Sequence, residues 1–280
     1  MKRSLRASAR AGVASAVLAL LTAPVFATTV PDLPVDRFDI PFGPERLAAE
    51  SAGMVDPTTG QTGVTRVSRG DRTLGGERDM RFWAGYGTPG ESWTFGVDPA
   101  RGLFWDNDPG MHVNTYLEWD GAGDGSTRFD AEPTDPLSLD VTDHRAFRLS
   151  FGSNAAPLEV QLQMLNIGPG SPCGAACGFV EGWSRSPVTE VAGDQTQPFD
   201  VLVAFADFDA PAAPFLPAAD LSRVNVIGAF VLSGVDITGN ELELRSLELT
   251  PVPVPPAMLL FGSALGALVA IRRQRRWMPR

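Results

Sequence analysis

Between residues 38 and 250 apolar and polar positions alternate with a period of two, and helical periodicity is almost absent. In 158–167, Leu158, Val160, Leu162 and Met164 fall on one face, as a half-buried antiparallel strand requires. The same reading predicts strands at 65–67, 80–83, 92–97, 113–119, 146–152, 199–205, 224–232 and 241–249, separated by clusters of Gly, Pro, Asp and Asn. In the last of these the leucines stand at 242, 244, 247 and 249, so the buried face flips after Leu244 unless a β-bulge intervenes. With no helical crossovers available, the expected class is all-β, an antiparallel β-sandwich over 38–250. Residues 28–37, rich in Pro and Asp, read as an extended linker or a leading edge.

Both ends of the chain break this pattern. Lys2, Arg3, Arg6 and Arg10 precede an apolar run over 11–26, and Val25 and Ala27 occupy the positions that a signal peptidase reads. Residues 1–27 are therefore expected to be a secretory signal peptide, with an uncleaved anchor as the alternative. At the other end a proline-rich stretch, 251–256, enters an uncharged apolar segment, 257–271, followed by a basic tail, 272–280. Taken from Pro256 to Ile271, the segment would rise about 24 Å as a helix against a hydrocarbon core of roughly 30 Å. Such a short transmembrane helix suits a segment read by a membrane enzyme and then removed, or one around which the bilayer thins. Arg272, Arg273, Arg275 and Arg276 should stay on the cytoplasmic side of the inner membrane, which leaves everything before Pro251 outside. Gly262 and Gly266 form a small-x-x-x-small pair of the kind that packs helices, although such residues are common in membrane segments.

Charge narrows the partners. Of the 23 basic residues four lie in the first ten positions and five in the last nine, so the region between carries 14 against 33 acidic ones, a net −19. A surface that negative repels nucleic acid and anionic lipid, and no nucleic-acid partner is expected. Cys173 and Cys177, four residues apart in a Gly-Ala loop, would meet an oxidising compartment after export, where a disulfide is expected. Free thiols are the alternative, since two cysteines with no neighbouring His give too few ligands for structural zinc.

No Gly-x-Ser-x-Gly elbow, His-x-x-x-His motif or phosphate loop occurs. His112 and His144 sit in unrelated contexts and read as exposed or capping residues. Asp106 and Asp108, and Asp120 and Asp124, place oxygen ligands in tight turns that could hold a structural Ca²⁺. Turn formation alone accounts for the same residues, so no cofactor is otherwise expected. Trp83, Tyr86, Trp93, Phe104, Trp105, Tyr116, Trp119 and Trp183 crowd the first two-thirds. Most are expected in the core, but alternation puts Tyr116 and Trp119 on opposite faces, and Phe104 and Trp105 likewise, which makes at least one of each pair a candidate for exposure, where aromatic faces stack on sugar rings.

The arrangement of the last thirty residues resembles the PEP-CTERM family of exported bacterial proteins, sorted by an exosortase in Gram-negative species that make extracellular polysaccharide. The matching residues are Val252, Pro253, Val254 and Pro255, the segment Pro256-Ala257-Met258-Leu259-Leu260-Phe261-Gly262-Ser263, and the arginine cluster. One position departs: Val254 stands where the family's motif has Glu. The stretches around Phe199–Phe208 and 220–232, with the closing Glu/Leu strand, resemble the last strands of galactose-binding-like jelly rolls. These resemblances imply a non-enzymatic jelly-roll ectodomain carried by the secretion machinery to the cell surface or matrix. They also imply an exosortase as processing partner and association with extracellular polysaccharide. The alternatives are a carbohydrate-active hydrolase using paired carboxylates, or a glycan-binding module presenting exposed aromatics.

Overall fold

A computed structural model describes residues 31–48, 64–69, 73–86, 91–122, 135–168, 180–211, 216–233 and 240–251, all within one compact unit, Pro31–Pro251. Residues 1–27, expected to be a signal peptide, Val252–Arg280 with the expected sorting residues, Cys173, Cys177 and Asp124 lie outside the described residues. Among the described residues no helix is long and apolar enough to cross a membrane.

Two seven-stranded antiparallel sheets face each other as a β-sandwich. The first contains β1 (Leu33–Asp36), β2 (Phe42–Ala48), β5 (Ser92–Asp98), β6 (Gly102–Asn107), β10 (His144–Asn154), β14 (Phe199–Ala204) and β16 (Asn240–Pro251). Its order is β14-β10-β16-β6-β5-β2, with β1 beside β16 where β6 leaves off. The second contains β3 (Val64–Arg69), β4 (Glu77–Tyr86), β7 (His112–Trp119), β11 (Leu158–Ile167), β12 (Val180–Arg185), β13 (Thr189–Val191) and β15 (Val226–Ser233). Its order is β12-β11-β15-β7-β4-β3, with β13 extending the β12 edge of β11. A two-stranded ribbon joins β8 (Gly121–Ala122) to β9 (Asp135–Pro136).

Alternation in the strands fills the space between the sheets. Phe82, Trp93, Phe95, Trp105, Trp119, Phe147 and the leucine and valine faces of β11 and β15 form one buried cluster, in which Phe82 stacks on Phe95 at 4.0 Å. Each of the nine expected strands is present, β11 with the expected bounds and the others with ends displaced by at most a few residues. The leucines of β16 all reach the core, 0–1% exposed, because the register against β10 shifts between Ser150 and Phe151 and leaves Arg245 without a partner. That bulge restores the face after Leu244.

Residues 33–36 take the leading-edge alternative and become β1. The pair Phe104 and Trp105 departs from expectation, since both are buried. Trp105 enters the core, whereas Phe104 faces outward under the Arg101 guanidinium, 4.2 Å from the ring. Arg101 is itself held by Glu243 at 2.9 Å and Glu241 at 3.1 Å. The turn before β6 needs glycine: Gly102 has φ +80°, and a Cβ there would stand 2.2 Å from the Leu244 carbonyl oxygen.

One charged group crosses between the sheets. Asp36, at the end of β1, accepts hydrogen bonds from Arg78 Nη1 at 2.7 Å and Trp119 Nε1 at 2.9 Å, both in the second sheet. Its other oxygen accepts from the Phe38 backbone N–H at 2.6 Å. Arg78 Nη2 donates to Ser68 Oγ at 2.7 Å, and the guanidinium lies 5.0 Å from the Phe38 ring. Arg78 and Asp36 are 0% and 1% exposed, so the pair is a buried ion pair clasping the N-terminal strand to the opposite sheet. The same contacts hold Phe38 at φ +48°, a conformation that bulky residues avoid.

His144 also corrects the sequence reading. It is the first residue of β10, opposite Pro251, and is buried with neither ring nitrogen hydrogen-bonded. Burial holds its imidazole below the ordinary 6.5, against the pull of Asp143, Asp32 and Asp140. The unfolded chain thus takes up a proton first as pH falls through 6.5, so the neutral ring's contribution is complete above that value and is lost below it. His144→Gln is expected to flatten the dependence of unfolding free energy on pH between roughly 5 and 7. A slope identical to wild type in urea titrations would show that the ring titrates alike in both states.

Candidate functional site

The outer face of the second sheet carries side chains that a solvated strand does not need. While Met80, Phe82, Leu117, Trp119, Ala229, Val231, Leu162 and Met164 point into the core, the alternate positions face out. The ladder registers line these up across the strands. Arg81 is opposite Tyr116, Tyr116 opposite Phe230, and Phe230 opposite Gln161. In the next row Glu118 is opposite Gly228, Gly228 opposite Gln163, and Gln163 opposite Arg185. Directly opposed side chains are near neighbours, so these rows are contact rows.

The floor of this face is a hydrogen-bonded network. Gln163 Nε2 donates to Tyr116 Oη at 2.8 Å across β15, and Trp183 Nε1 donates to Gln163 Oε1 at 3.2 Å. The bridge passes over Gly228, where a Cβ would lie 2.6 Å from Tyr116 Oη and 2.7 Å from Gln163 Nε2. The absence of a side chain at that position is what lets the hydroxyl and the amide meet. Gln161 Nε2 donates to the Ser186 carbonyl at 3.1 Å, and the Asn114 amide, oriented to satisfy its neighbours, accepts from Trp83 Nε1 at 3.2 Å.

Above the buried Tyr116 and Gln163 stand half-buried groups. The Phe230 ring lies 4.5 Å from that of Tyr116 at 34°. Arg81 sits 5.5 Å from the Trp83 ring and Arg185 5.7 Å from the Trp183 ring. Trp83 on β4 and Trp183 on β12 are separated by four strand spacings, about 19 Å across the sheet, and by six positions along it, since the ladders align Trp83 with Glu159 and Trp183 with Leu165. Beside this face, at the β11–β13 end, a cavity of about 530 Å³ is lined by Pro157, Leu158, Glu159, Glu190 and Val191, with Glu159 directly opposite Glu190.

Tyr116 is electrostatically distinctive. Burial first, and then the neighbouring Glu118 carboxylate, push its phenol well above the ordinary 10, partly offset by the Gln163 hydrogen bond. The hydroxyl is therefore kept protonated as a donor and acceptor. With only two tyrosines in the chain, Tyr116→Phe is expected to leave the spectrophotometric tyrosine titration unchanged up to the alkaline unfolding transition. A loss of one titrating group near pH 10 in the variant would show Tyr116 to be open to solvent.

Several expected site residues lie apart. Asp106 is exposed on β6 of the first sheet, and Asp108 accepts from Ser92 N–H at 2.8 Å and Ser92 Oγ at 3.0 Å. Asp120, buried, follows β7 in the second sheet, and its expected turn partner Asp124 lies outside the described residues. Among the described residues there is no cluster of three or more side chains that could hold a metal ion. Tyr116 and Trp119 do face opposite ways, but Tyr116 is 3% exposed, not open. Gln161, Gln163, Phe230, Arg81 and Arg185 were not singled out from the sequence. The available signal was the alternation Glu-Val-Gln-Leu-Gln in β11, whose polar face carries amides as well as charges.

No family model matches the chain, and no curated protein matches it. Among solved structures, a family 11 carbohydrate-binding module of a cellulosomal cellulase from Clostridium thermocellum is 10% identical, covering 80% of this chain and 97% of that one at a TM-score of 0.36. A Stig cyclase from Fischerella sp. TAU is 10% identical, covering 79% and 98% at a TM-score of 0.31. A structure of carbohydrate-binding modules from the β-sandwich superfamily is 9% identical, covering 74% and 62% at a TM-score of 0.29.

Proposed function

We propose that this is an exported, non-catalytic glycan-binding β-sandwich that seats an extended polysaccharide across the outer face of its second sheet. The observation that carries the reading is the Tyr116–Gln163–Trp183 network beside Phe230, Trp83 and the guanidinium groups of Arg81 and Arg185, each within cation–π reach of a tryptophan. Sugars present apolar C–H faces edged by hydroxyls, and such a ligand needs aromatic surface together with fixed amide and guanidinium partners. A diagonal track of roughly 28 Å from Trp83 to Trp183 offers that combination to several consecutive rings of a chain. The terminal resemblance supplies the setting: export by the signal peptide, retention at the inner membrane, and exosortase processing near Pro255 that delivers the domain to the surface or matrix polysaccharide.

Affinity electrophoresis of the protein through gels containing neutral and acidic polysaccharides tests the binding reading, and retarded migration in at least one gel is expected. Unretarded migration in all of them would sink it. Intact mass in the exporting host tests the setting, since replacing Arg272, Arg273, Arg275 and Arg276 by Ala should block loss of the segment after Pro255. A hydrolytic reading has one observation in its favour, the Glu159–Glu190 pair beside the cavity. Directly opposed residues have Cβ atoms about 4.5–5.5 Å apart, from which two glutamate carboxyl groups can reach the spacing of about 5–9 Å that glycoside hydrolysis uses. Release of reducing ends, abolished by Glu159→Gln, would favour it.

A further inference from the structure

We infer that the β12 end of the outer face recognises a carboxylate on the polysaccharide, so that the ligand is an acidic glycan carrying uronic acid residues. The inference rests on the binding reading above and adds the ligand's charge. The half-buried arginines of the first sheet are each committed to two carboxylates: Arg101 to Glu241 and Glu243, and Arg148 to Asp32 and Glu248. Arg185 differs. It makes no ion pair among the described residues and is half-buried against Trp183, with its guanidinium 5.7 Å from the indole ring. Asp209 exchanges two backbone hydrogen bonds with it at 2.9 Å, yet the two side chains form no salt bridge.

The region's 33 acidic and 14 basic residues repel a polyanion at long range, so the attraction inferred is a contact one: a half-buried guanidinium with no protein carboxylate beside it pairs with a single carboxylate of the ligand at close quarters. An aromatic ring beneath the guanidinium restricts where the side chain can swing, and a guanidinium presents two parallel N–H groups to a carboxylate. The aromatic is itself fixed, because the Trp183 N–H is tied to Gln163. The opposite end of β11 carries the reverse sign: Glu159 faces Glu190, and Glu159 is four residues from Gln163, or about 13 Å along the strand. An acidic sugar is drawn to the Arg185 end and repelled from the Glu159–Glu190 end. The ligand's carboxylate therefore sets its register on the face, while the aromatic row supplies contact that does not depend on charge.

The test uses the protein purified from its exporting host and paired polymers that differ only in charge: polygalacturonate, alginate and xanthan, each with its carboxyl-reduced derivative. Isothermal titration at about 0.15 M salt, which screens the domain's net negative charge beyond roughly 8 Å but leaves a contact ion pair, is expected to give about tenfold tighter binding of the acidic member of at least one pair. That ratio should fall to about one in Arg185→Gln, recover in part in Arg185→Lys, and shrink with added salt. Equal affinity for acidic and reduced forms, or a preference that survives in Arg185→Gln, overturns the inference and leaves glycan binding standing. Binding of neither form of any polymer, nor of any neutral glycan, overturns both.

Discussion

Asp36→Ala is expected to lower the unfolding free energy by about 3–5 kcal/mol, because it leaves the Arg78 guanidinium buried and uncompensated. Against a domain stability of about 5–15 kcal/mol, this is the largest single effect foreseen here. Three losses coincide: the ion pair at 2.7 Å, the Trp119 N–H acceptor at 2.9 Å, and the acceptor that holds Phe38 in its left-handed conformation. Urea denaturation followed by tryptophan fluorescence measures the change directly. A double variant, Asp36→Leu with Arg78→Met, removes both charges and should recover much of the loss, since apolar replacements for buried pairs are often neutral or stabilising. If Asp36→Ala costs under 1 kcal/mol, roughly the price of a surface ion pair, the clasp is not closed in solution.

Trp183→Ala is expected to weaken polysaccharide binding by about 30-fold, or about 2 kcal/mol, the effect typical of a central aromatic contact. The substitution removes the stacking surface, releases Gln163 from its indole partner and frees the Arg185 guanidinium to move. Trp183 also packs on Leu165, Ile167, Val180, Leu216 and Val226, a small apolar cluster outside the main core. Loss of binding must therefore be separated from loss of fold. Trp183→Phe keeps an aromatic ring in that cluster but deletes the N–H, and an intermediate affinity with near-normal stability is the expected result. Titration with the best ligand found by affinity electrophoresis reads both variants, and wild-type affinity in folded Trp183→Ala would move the site elsewhere.

The sandwich was legible wherever one face of a strand is buried and the other wet. β11 shows this best, since its bounds agree with the reading at 158–167. β6 hid because Phe104 and Trp105 are adjacent apolar residues with no alternation, one entering the core and the other roofed by Arg101. β2 hid because Pro44, Glu45 and Arg46 interrupt any apolar pattern and the strand lies at the edge of its sheet. β12 hid behind Gly182 in a run of mixed residues.

The site was less legible than the fold, and for a different reason. Tyr116 and Gln163 are 47 positions apart, and only the register of three strands makes them partners. Gly228 between them carries no local signal of its role. Likewise, nothing local distinguishes Arg78 from an ordinary solvent-facing arginine, because its partner Asp36 lies 42 residues earlier. Of the aromatics noted in the sequence, Trp93, Trp105 and Trp119 belong to the core, as most were expected to, and composition alone does not tell them from Trp83 and Trp183.

The pairing of β1 with β16 has a consequence for engineering. Leu33 is opposite Leu249, so the first and last strands of the sandwich meet within about 5 Å of backbone. A short Gly/Ser bridge from residue 251 to residue 31 would close the sandwich into a ring, and the hairpin turn at Asp98–Arg101 offers a surface point at which to reopen it. The same neighbouring ends would let the whole sandwich be spliced into a loop of another protein, leaving its outer face as a portable ligand surface.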